Sequence, residues 1–177
     1  MTMTVPVKQC DVLVIGGGGS GAIAAVEASG YKELKIILSC KGPIGQSGLT
    51  PTANGGTAFH ESPEDTMEEM INAGCFLNNQ NLVKLMANKA QKDIEKIKGW
   101  GVPITSIRPA ARCVLPSDLL PTLRKKIISS DNIELLEDVL ITSLLKSDGC
   151  LSGATALNLQ TGEFFVIQSK AVVMASG

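Results

Sequence analysis

The apolar residues of this chain change period along its length, and the changes mark out its elements. Asp11–Ile15 (DVLVI) is a short, largely β-branched run and predicts a buried strand. Four glycines follow. From Ser20 to Ser29 the residues Ala22, Ala25 and Ala28, with Ile23 and Val26, then give a small-residue face. That spacing predicts a helix packed closely on a sheet, with Gly30 placed as its C-cap. Lys35–Ser39 (KIILS) predicts a second buried strand, parallel to the first through a right-handed crossover. From Cys40 to Ala58 the chain is rich in Gly, Ser, Thr and Pro without any period, which predicts a long loop of the functional kind.

Helical periodicity returns at Ser62. With Ser62 as N-cap, Pro63 at N1 and Asp65 at N3, a helix starts there and runs to about Ala73. Another begins at Gln80 or Asn81 and reaches about Lys98. Leu82, Leu85, Met86, Ala90, Ile94 and Ile97 fall on one face of it, and Met67, Met70 and Met86 read as core. The Trp100-Gly101-Val102-Pro103 stretch ends that helix, and Ser117–Ser129 predicts a further one. Beyond Ile133 the pattern shifts to short β-type runs at Ile133–Leu136, Val139–Leu145, Ala154–Asn158, Phe164–Gln168 and Ala171–Ala175. Asp148-Gly149 and Thr161-Gly162 are placed as hairpin turns. The order is a βαβ unit, a helical insertion, and a β-meander returning to a strand that fits the parallel sheet. This predicts an α/β fold.

Composition narrows the function classes. At 177 residues the chain is one domain or the larger part of one, and 44% hydrophobic with 19% charged residues marks it as globular. A net charge of −1 argues against a nucleic-acid partner, and 3% aromatics leave no platform for stacking bases. No apolar run approaches the roughly 20 residues that span a bilayer, so no membrane insertion is expected. The first ten residues lack the apolar core of a secretory signal, and a cytoplasmic location is expected. Cys10, Cys40, Cys75, Cys113 and Cys150 are scattered, odd in number and without a C-x-x-C pair. They predict reduced, mostly buried thiols and neither a metal nor an iron–sulfur site.

The sharpest chemical feature joins the first strand to the first helix. Gly16, Gly18 and Gly21 stand in G-x-G-x-x-G spacing. The first glycine permits the sharp turn, the second lets backbone approach a pyrophosphate, and the third lets helix and strand pack closely. The helix N-terminus then faces the phosphate charge. In this strand–turn–helix setting the motif points to a dinucleotide binder.

Over nearly its whole length the chain also resembles the FAD-binding domain of the succinate dehydrogenase/fumarate reductase flavoprotein family, with L-aspartate oxidase and adenylylsulfate reductase flavoproteins as relatives. Four blocks in family order carry the resemblance: DVLVIGGGGSGAIAAVEA, LSCKGPIGQSGLTPTANGG, the helical stretch from Ser62 ending in Trp-Gly-Val-Pro, and the β-rich stretch from Ile133 to Gly177. The resemblance implies a Rossmann-like FAD-binding domain spanning 1–177, truncated relative to the family and lacking its capping domain. By the resemblance Gly16, Gly18, Gly19, Ser20 and Gly21 line the FAD pyrophosphate. Ser39, Cys40 and Lys41 lie by the adenosine ribose, where many Rossmann proteins carry an acid. Ser47, Gly48 and Thr50 lie near the phosphates and flavin. Asn54, Gly55 and Gly56 put backbone N–H groups near the isoalloxazine ring, where they stabilise charge on the reduced flavin. Val139 presents its backbone to adenine, and Ala175, Ser176 and Gly177 approach from the last strand.

Three departures shape the expected function. Members that hold FAD covalently use a His in the loop before Gly-Gly. This chain has Gly48 and Leu49 there, so FAD is expected to be non-covalent, and the only histidine, His60, reads as a solvated loop residue. The stretch after Trp-Gly-Val-Pro is short, and its Arg108 and Arg112 read as surface charges, with an anionic ligand as the alternative. The family's substrate-binding His and Arg residues and its proton-delivering Arg belong to a region beyond Gly177, so no catalytic residue is placed. The expected function is the FAD-binding portion of an oxidoreductase moving hydride between flavin and a small acid, inactive alone. It would need the remaining flavoprotein half or an iron–sulfur or other electron-transfer subunit. The alternatives are a piece of an adenylylsulfate reductase-like flavoprotein, or a non-catalytic FAD-binding module that needs a partner.

Overall fold

The structure, a computed structural model, describes residues 5–46, 48–53, 57–108 and 111–177. In chain order the elements are β1 (Val7–Ile15), α1 (Gly19–Ala28), β2 (Ile36–Ser39), a short 3₁₀ turn (Thr50–Thr52), β3 (Thr57–His60), α2 (Pro63–Ala73), α3 (Gln80–Gly99), β4 (Thr105–Arg108), β5 (Ala111–Val114), α4 (Pro116–Ile128), β6 (Ile133–Leu136), β7 (Val139–Ser147), β8 (Cys150–Asn158) and β9 (Phe164–Met174). The chain folds as two compact units, Met1–Thr52 with Leu123–Gly177, and Ala53–Thr122.

The first unit is an α/β layer built on a six-stranded sheet in the order β6-β2-β1-β9-β8-β7. β6, β2, β1 and β9 run parallel, in registers such as Leu135↔Leu38, Ile36↔Val12 and Val12↔Ala171. β8 and β7 continue the sheet antiparallel, as the meander predicts. Leu13, Ile37, Ala154, Ala156 and Ile167 are fully buried and join the parallel and meander strands in one core. Gly21, Ala22 and Ala25 form the buried face of α1.

Three boundaries differ from the sequence reading, each for a tertiary reason. β1 begins four residues before the apolar run, because Val7 to Cys10 pair with Val166 to Ser169 of β9. β9 is a single strand where the pattern shows two runs. Ser169 and Lys170 look like a break, yet Ser169 pairs with Cys10 across the sheet. β8 starts at Cys150, ahead of Gly153. That glycine reads as punctuation but sits inside the strand at φ +143°, and a Cβ there would lie 1.9 Å from the Ile167 carbonyl oxygen. The predicted C-cap at Gly30 is also corrected. Ser29 ends α1, its N–H donating to Ala25 C=O at 3.0 Å and its hydroxyl to Val26 C=O at 2.8 Å.

The second unit holds α2, α3 and a three-stranded antiparallel sheet in the order β3-β5-β4. Ser62 caps α2 as predicted, accepting from the Asp65 N–H at 3.1 Å. Asn79 caps α3, accepting from the N–H groups of Asn81 and Leu82. The buried face of α3 is Val83, Ala87, Ala90 and Ile94, while Leu82, Leu85 and Met86 are exposed. Ala90 and Ile94 of the predicted face are buried, but the smaller Val83 and Ala87 complete that face in place of Leu82, Leu85 and Met86, which corrects the reading of Met86 as core. The small sheet is missing from the sequence reading because its strands, TAFH, TSIR and ARCV, carry no continuous apolar run of the kind that marks the equally short β2. No described helix is long and apolar enough to cross a membrane.

Candidate functional site

Strand order reverses at β1: the chain passes to β2 and β6 on one side and later returns to β9 on the other, all four strands running parallel. The carboxyl ends of strands at such a switch point form a ligand crevice in open α/β sheets. The glycine turn lies there. Gly16 donates to Ser39 C=O at 2.8 Å, and Ala175 donates to Ile15 C=O at 2.8 Å. Gly16 sits at φ +113°, and a Cβ on it would lie 2.1 Å from the Ala175 carbonyl oxygen. A Cβ on Gly21 would lie 1.8 Å from the Gly16 carbonyl oxygen, so only glycine lets α1 rest this close to the turn. Gly18 differs. It is the N-cap of α1 with no side-chain cap, and the nearest atom to a Cβ would be Thr50 Oγ1 at 3.5 Å. Thr50 Oγ1 accepts from the Gly19 N–H at 3.1 Å, which ties residue 50 to the helix start. The first turn of α1 carries no acidic residue, so nothing there opposes the positive end of the helix dipole.

The end of β2 forms the second part of the site. Ser39 is buried, and its hydroxyl donates to Val139 C=O at 3.2 Å. The Val139 N–H donates to Cys40 C=O at 2.9 Å, so both backbone polar groups of Val139 have partners within the protein. Cys40 is buried with its sulfur toward Gly17, while Lys41 and Gly48 are exposed. At the close of β6, Glu137 accepts from the Ile44 N–H at 2.8 Å and from Arg124 Nη1 at 2.7 Å. The Arg124 guanidinium holds the Glu137 carboxyl below the usual carboxylate range. Sequence reasoning missed this pair. Its one visible trace is an acidic residue directly after the strand that runs beside β2.

Of the residues named from the sequence, Gly16, Gly18, Gly19, Ser20 and Gly21, Ser39 to Lys41, Thr50, Val139 and Ala175 to Gly177 fall in this one unit. The structure brings Gly16 to Ala175, Gly19 to Thr50, and Ser39 and Cys40 to Val139. Ser47, Asn54, Gly55 and Gly56 lie outside the described residues. Arg108 and Arg112 fall on β4 and β5. His60 is a strand residue, which corrects the solvated-loop reading. Its ring pairs with Glu69, its N–H donates to Thr66 Oγ1, and its C=O accepts from Gln91.

The thiols divide by burial. Burial pushes the Cys40 thiol up to about 12 and the Cys10 thiol to about 11. Cys113 is buried as well, while Cys75 and Cys150 are exposed. Only a thiolate attacks a disulfide reagent. Titration of the native chain at pH 8 is expected to give two fast thiols and three that react only on unfolding. A fast phase larger than two would contradict this burial pattern.

Comparison with known proteins gives a consistent set of likenesses. A family model described as "FAD binding domain" matches residues 11–177. The chain is 31% identical over 193 residues to a subunit of the fumarate reductase (CoM/CoB) of Methanothermobacter marburgensis, covering 96% of this chain and 35% of that protein. It is 27% identical to the fumarate reductase flavoprotein subunit of Escherichia coli, over 96% of this chain and 32% of that protein. Among solved structures, FrdA of the E. coli quinol fumarate reductase overlays with a TM-score of 0.85 at 26% identity, over 97% of this chain and 33% of that one. Adenylylsulfate reductase from Archaeoglobus fulgidus overlays with a TM-score of 0.75 at 26% identity, over 98% and 31%. The chain thus spans about a third of the length of the curated relatives it matches.

Proposed function

This chain belongs to the FAD binding domain family, with fumarate reductase and succinate dehydrogenase flavoprotein subunits among its relatives, and we propose that it is the cofactor-holding part of such an oxidoreductase. The observation that carries the reading is the glycine turn at the switch point of the sheet. Gly16 and Gly21 close strand, turn and helix together at the backbone level, while Gly18 leaves room beside a helix start whose N-cap residue has no side chain of its own. A pyrophosphate fits that arrangement, since the N-terminus of α1 offers N–H groups and a favourable dipole. When bound, FAD supplies a hydride acceptor or donor for the interconversion of a small acid.

This chain's own residues bind and orient. Gly18, Ser20 and Gly21 offer backbone N–H groups to the pyrophosphate, while Gly19 lines it with its own N–H held by Thr50, which fixes the helix start. The segment from Ser39 to Lys41 and the backbone around Val139 border the adenosine, and Ala175, Ser176 and Gly177 close the crevice from β9. Ser47, Gly48, Asn54, Gly55 and Gly56 keep the flavin-side roles that the resemblance implies. FAD is held without a covalent bond: Gly48 and Leu49 stand where a histidine would be needed, and the His60 ring is engaged by Glu69. On this reading 1–177 acts as one FAD-binding domain in the cytoplasm and needs other polypeptide to complete catalysis. The substrate side would come from the rest of a flavoprotein, and electrons from an iron–sulfur or similar subunit.

The sheet supports that need. β8 pairs with β9 only from Phe164 to Gln168, while β1 pairs with it up to Met174. The outer side of Ser169 to Met174 has no partner strand among the described residues, and Val173 and Met174 are exposed. An open edge of this kind takes an added strand. We expect the strand to come from the remaining flavoprotein half.

The test is a visible absorption spectrum of the purified chain after incubation with FAD and desalting, with the eluting mass recorded. Retained flavin bands are expected, released as free FAD on acid denaturation. A chain that emerges colourless at every FAD concentration would overturn the binding proposal. A monomer stable at high concentration would count against the open edge as a docking strand.

A further inference from the structure

The glycine turn has a rear wall. A Cβ on Gly17 would meet the Cys40 sulfur at 2.4 Å, with Ile44 Cγ1 at 3.6 Å, so these two side chains back the turn. Both are buried, at 1% exposure each. The peptide that carries them is bolted to the β6–β7 junction. Cys40 donates to Leu136 C=O at 2.8 Å, and its C=O accepts from Val139. Ile44 is gripped at both of its backbone polar groups. Its N–H donates to Glu137 Oε1 at 2.8 Å, and its C=O accepts from Arg124 Nη1 at 3.3 Å. The same Arg124 nitrogen donates to the same Glu137 oxygen at 2.7 Å, which closes a three-membered ring of contacts.

The pair is about a third exposed on each side, at 34% for Arg124 and 30% for Glu137. Solvent screening at that exposure makes the ion pair itself a weak source of stability. Its geometry has more leverage than its charge. One carboxylate oxygen and one guanidinium nitrogen together hold Ile44, whose side chain backs Gly17 beside the nearer Cys40 sulfur.

We propose that Glu137 and Arg124 are positioning residues for the adenosine-diphosphate half of the cofactor, acting through Ile44 and Cys40 on the shape of the glycine turn. The inference rests on the FAD reading above. Neither residue touches the cofactor in this account. Loosening the wall lets the turn relax, and the N–H groups that must converge on the pyrophosphate lose their alignment.

The experiment measures the dissociation constants of ADP and FAD by calorimetry, alongside the thermal midpoint of the ligand-free chain. It uses wild type, Glu137→Ala, Arg124→Met, Arg124→Lys and the double variant Glu137→Ala/Arg124→Met. ADP binding is expected to weaken about tenfold in Glu137→Ala, the loss of one charge-assisted hydrogen-bonding partner. The double variant should be no worse than the single one, because the three groups act as a unit. Arg124→Lys, which keeps a donor for Glu137, should fall closer to wild type than Arg124→Met. The ligand-free midpoint should move little across the set, which separates positioning from general support of the fold. Should Glu137→Ala fail to fold, the Arg124 pair carries the test alone. Unchanged ADP affinity in variants of a wild type that binds ADP would overturn the inference. A wild type that binds neither ADP nor FAD would overturn the cofactor reading, and this inference with it.

Discussion

Gly18→Ala is expected to weaken FAD binding and keep its stability, whereas Gly21→Ala is expected to destabilise the cofactor unit itself. The two glycines stand three residues apart in one motif, and the structure separates their roles. Gly18 has φ −71° and ψ −178°, a conformation open to any residue, and a Cβ there finds no closer atom than Thr50 Oγ1 at 3.5 Å. The ligand-free chain should therefore lose less than about 1 kcal/mol, the usual scale of a cap substitution. The same Cβ occupies the space through which backbone N–H groups reach a phosphate. FAD affinity should fall about a hundredfold, equivalent to roughly 2.7 kcal/mol. At Gly21 the new carbon would sit 1.8 Å from the Gly16 carbonyl oxygen, a backbone atom that cannot swing aside. Helix α1 must lift away from β1, at about 3 kcal/mol or more of overpacking strain. For a chain of this size that lowers the thermal midpoint by roughly 10 °C. Thermal unfolding and flavin retention on the same two samples check both halves. A Gly18→Ala chain that keeps FAD would mean that the pyrophosphate lies elsewhere.

This division explains which parts of the site were legible in the sequence. The G-x-G-x-x-G spacing already assigns Gly16 to the turn, Gly18 to the ligand side and Gly21 to close packing, and the tight backbone approaches at Gly16 and Gly21 are those that the turn and packing roles call for. The parallel core was legible because Val12–Ile15 of β1 and Ile36–Leu38 of β2 are continuous apolar runs, and runs of that kind belong to strands buried on both faces. The ends of the elements were not. Val7 to Cys10 become strand only because β9 offers them a partner, and Ser169 stays in register because Cys10 lies opposite. On α3 the predicted face correctly includes Ala90 and Ile94, but no local property says that Val83 and Ala87 complete the buried face in place of Leu82, Leu85 and Met86. The Glu137–Arg124 clamp was invisible for the same reason. Each of its contacts on Ile44 joins residues 80 or more positions apart, beyond the reach of any periodicity.

The end of β2 is the place where this chain most departs from the usual dinucleotide site, and Ser39→Asp is expected to be severely destabilising there. An acidic residue at that strand end commonly receives the ribose hydroxyl. Here Ser39 is 2% exposed and its hydroxyl donates to Val139 C=O at 3.2 Å. A carboxylate in its place can only accept, so it would face a carbonyl oxygen with no proton between them. An uncompensated buried charge of this kind costs about 3–5 kcal/mol. Ser39→Ala, which merely leaves a carbonyl less satisfied, should cost about 1 kcal/mol. The pH dependence distinguishes charge from size. In the wild type Glu137 has a folded pKa below its ordinary 4.5, held there by Arg124. Its contribution is therefore present above pH 4.5 and is lost as pH falls through the folded value. The introduced carboxyl has the opposite sign. Burial raises its folded pKa, the folded state binds more protons than the unfolded one, and stability falls as pH rises. Ser39→Asp should therefore gain stability between pH 8 and pH 5, over a range in which the Glu137 contribution of the wild type stays constant. Denaturant midpoints at the two pH values decide it. A Ser39→Asp chain as stable as wild type at pH 8 would place residue 39 at the open crevice rather than inside the β2–β7 junction. Ser39 would then be free to take the ribose directly.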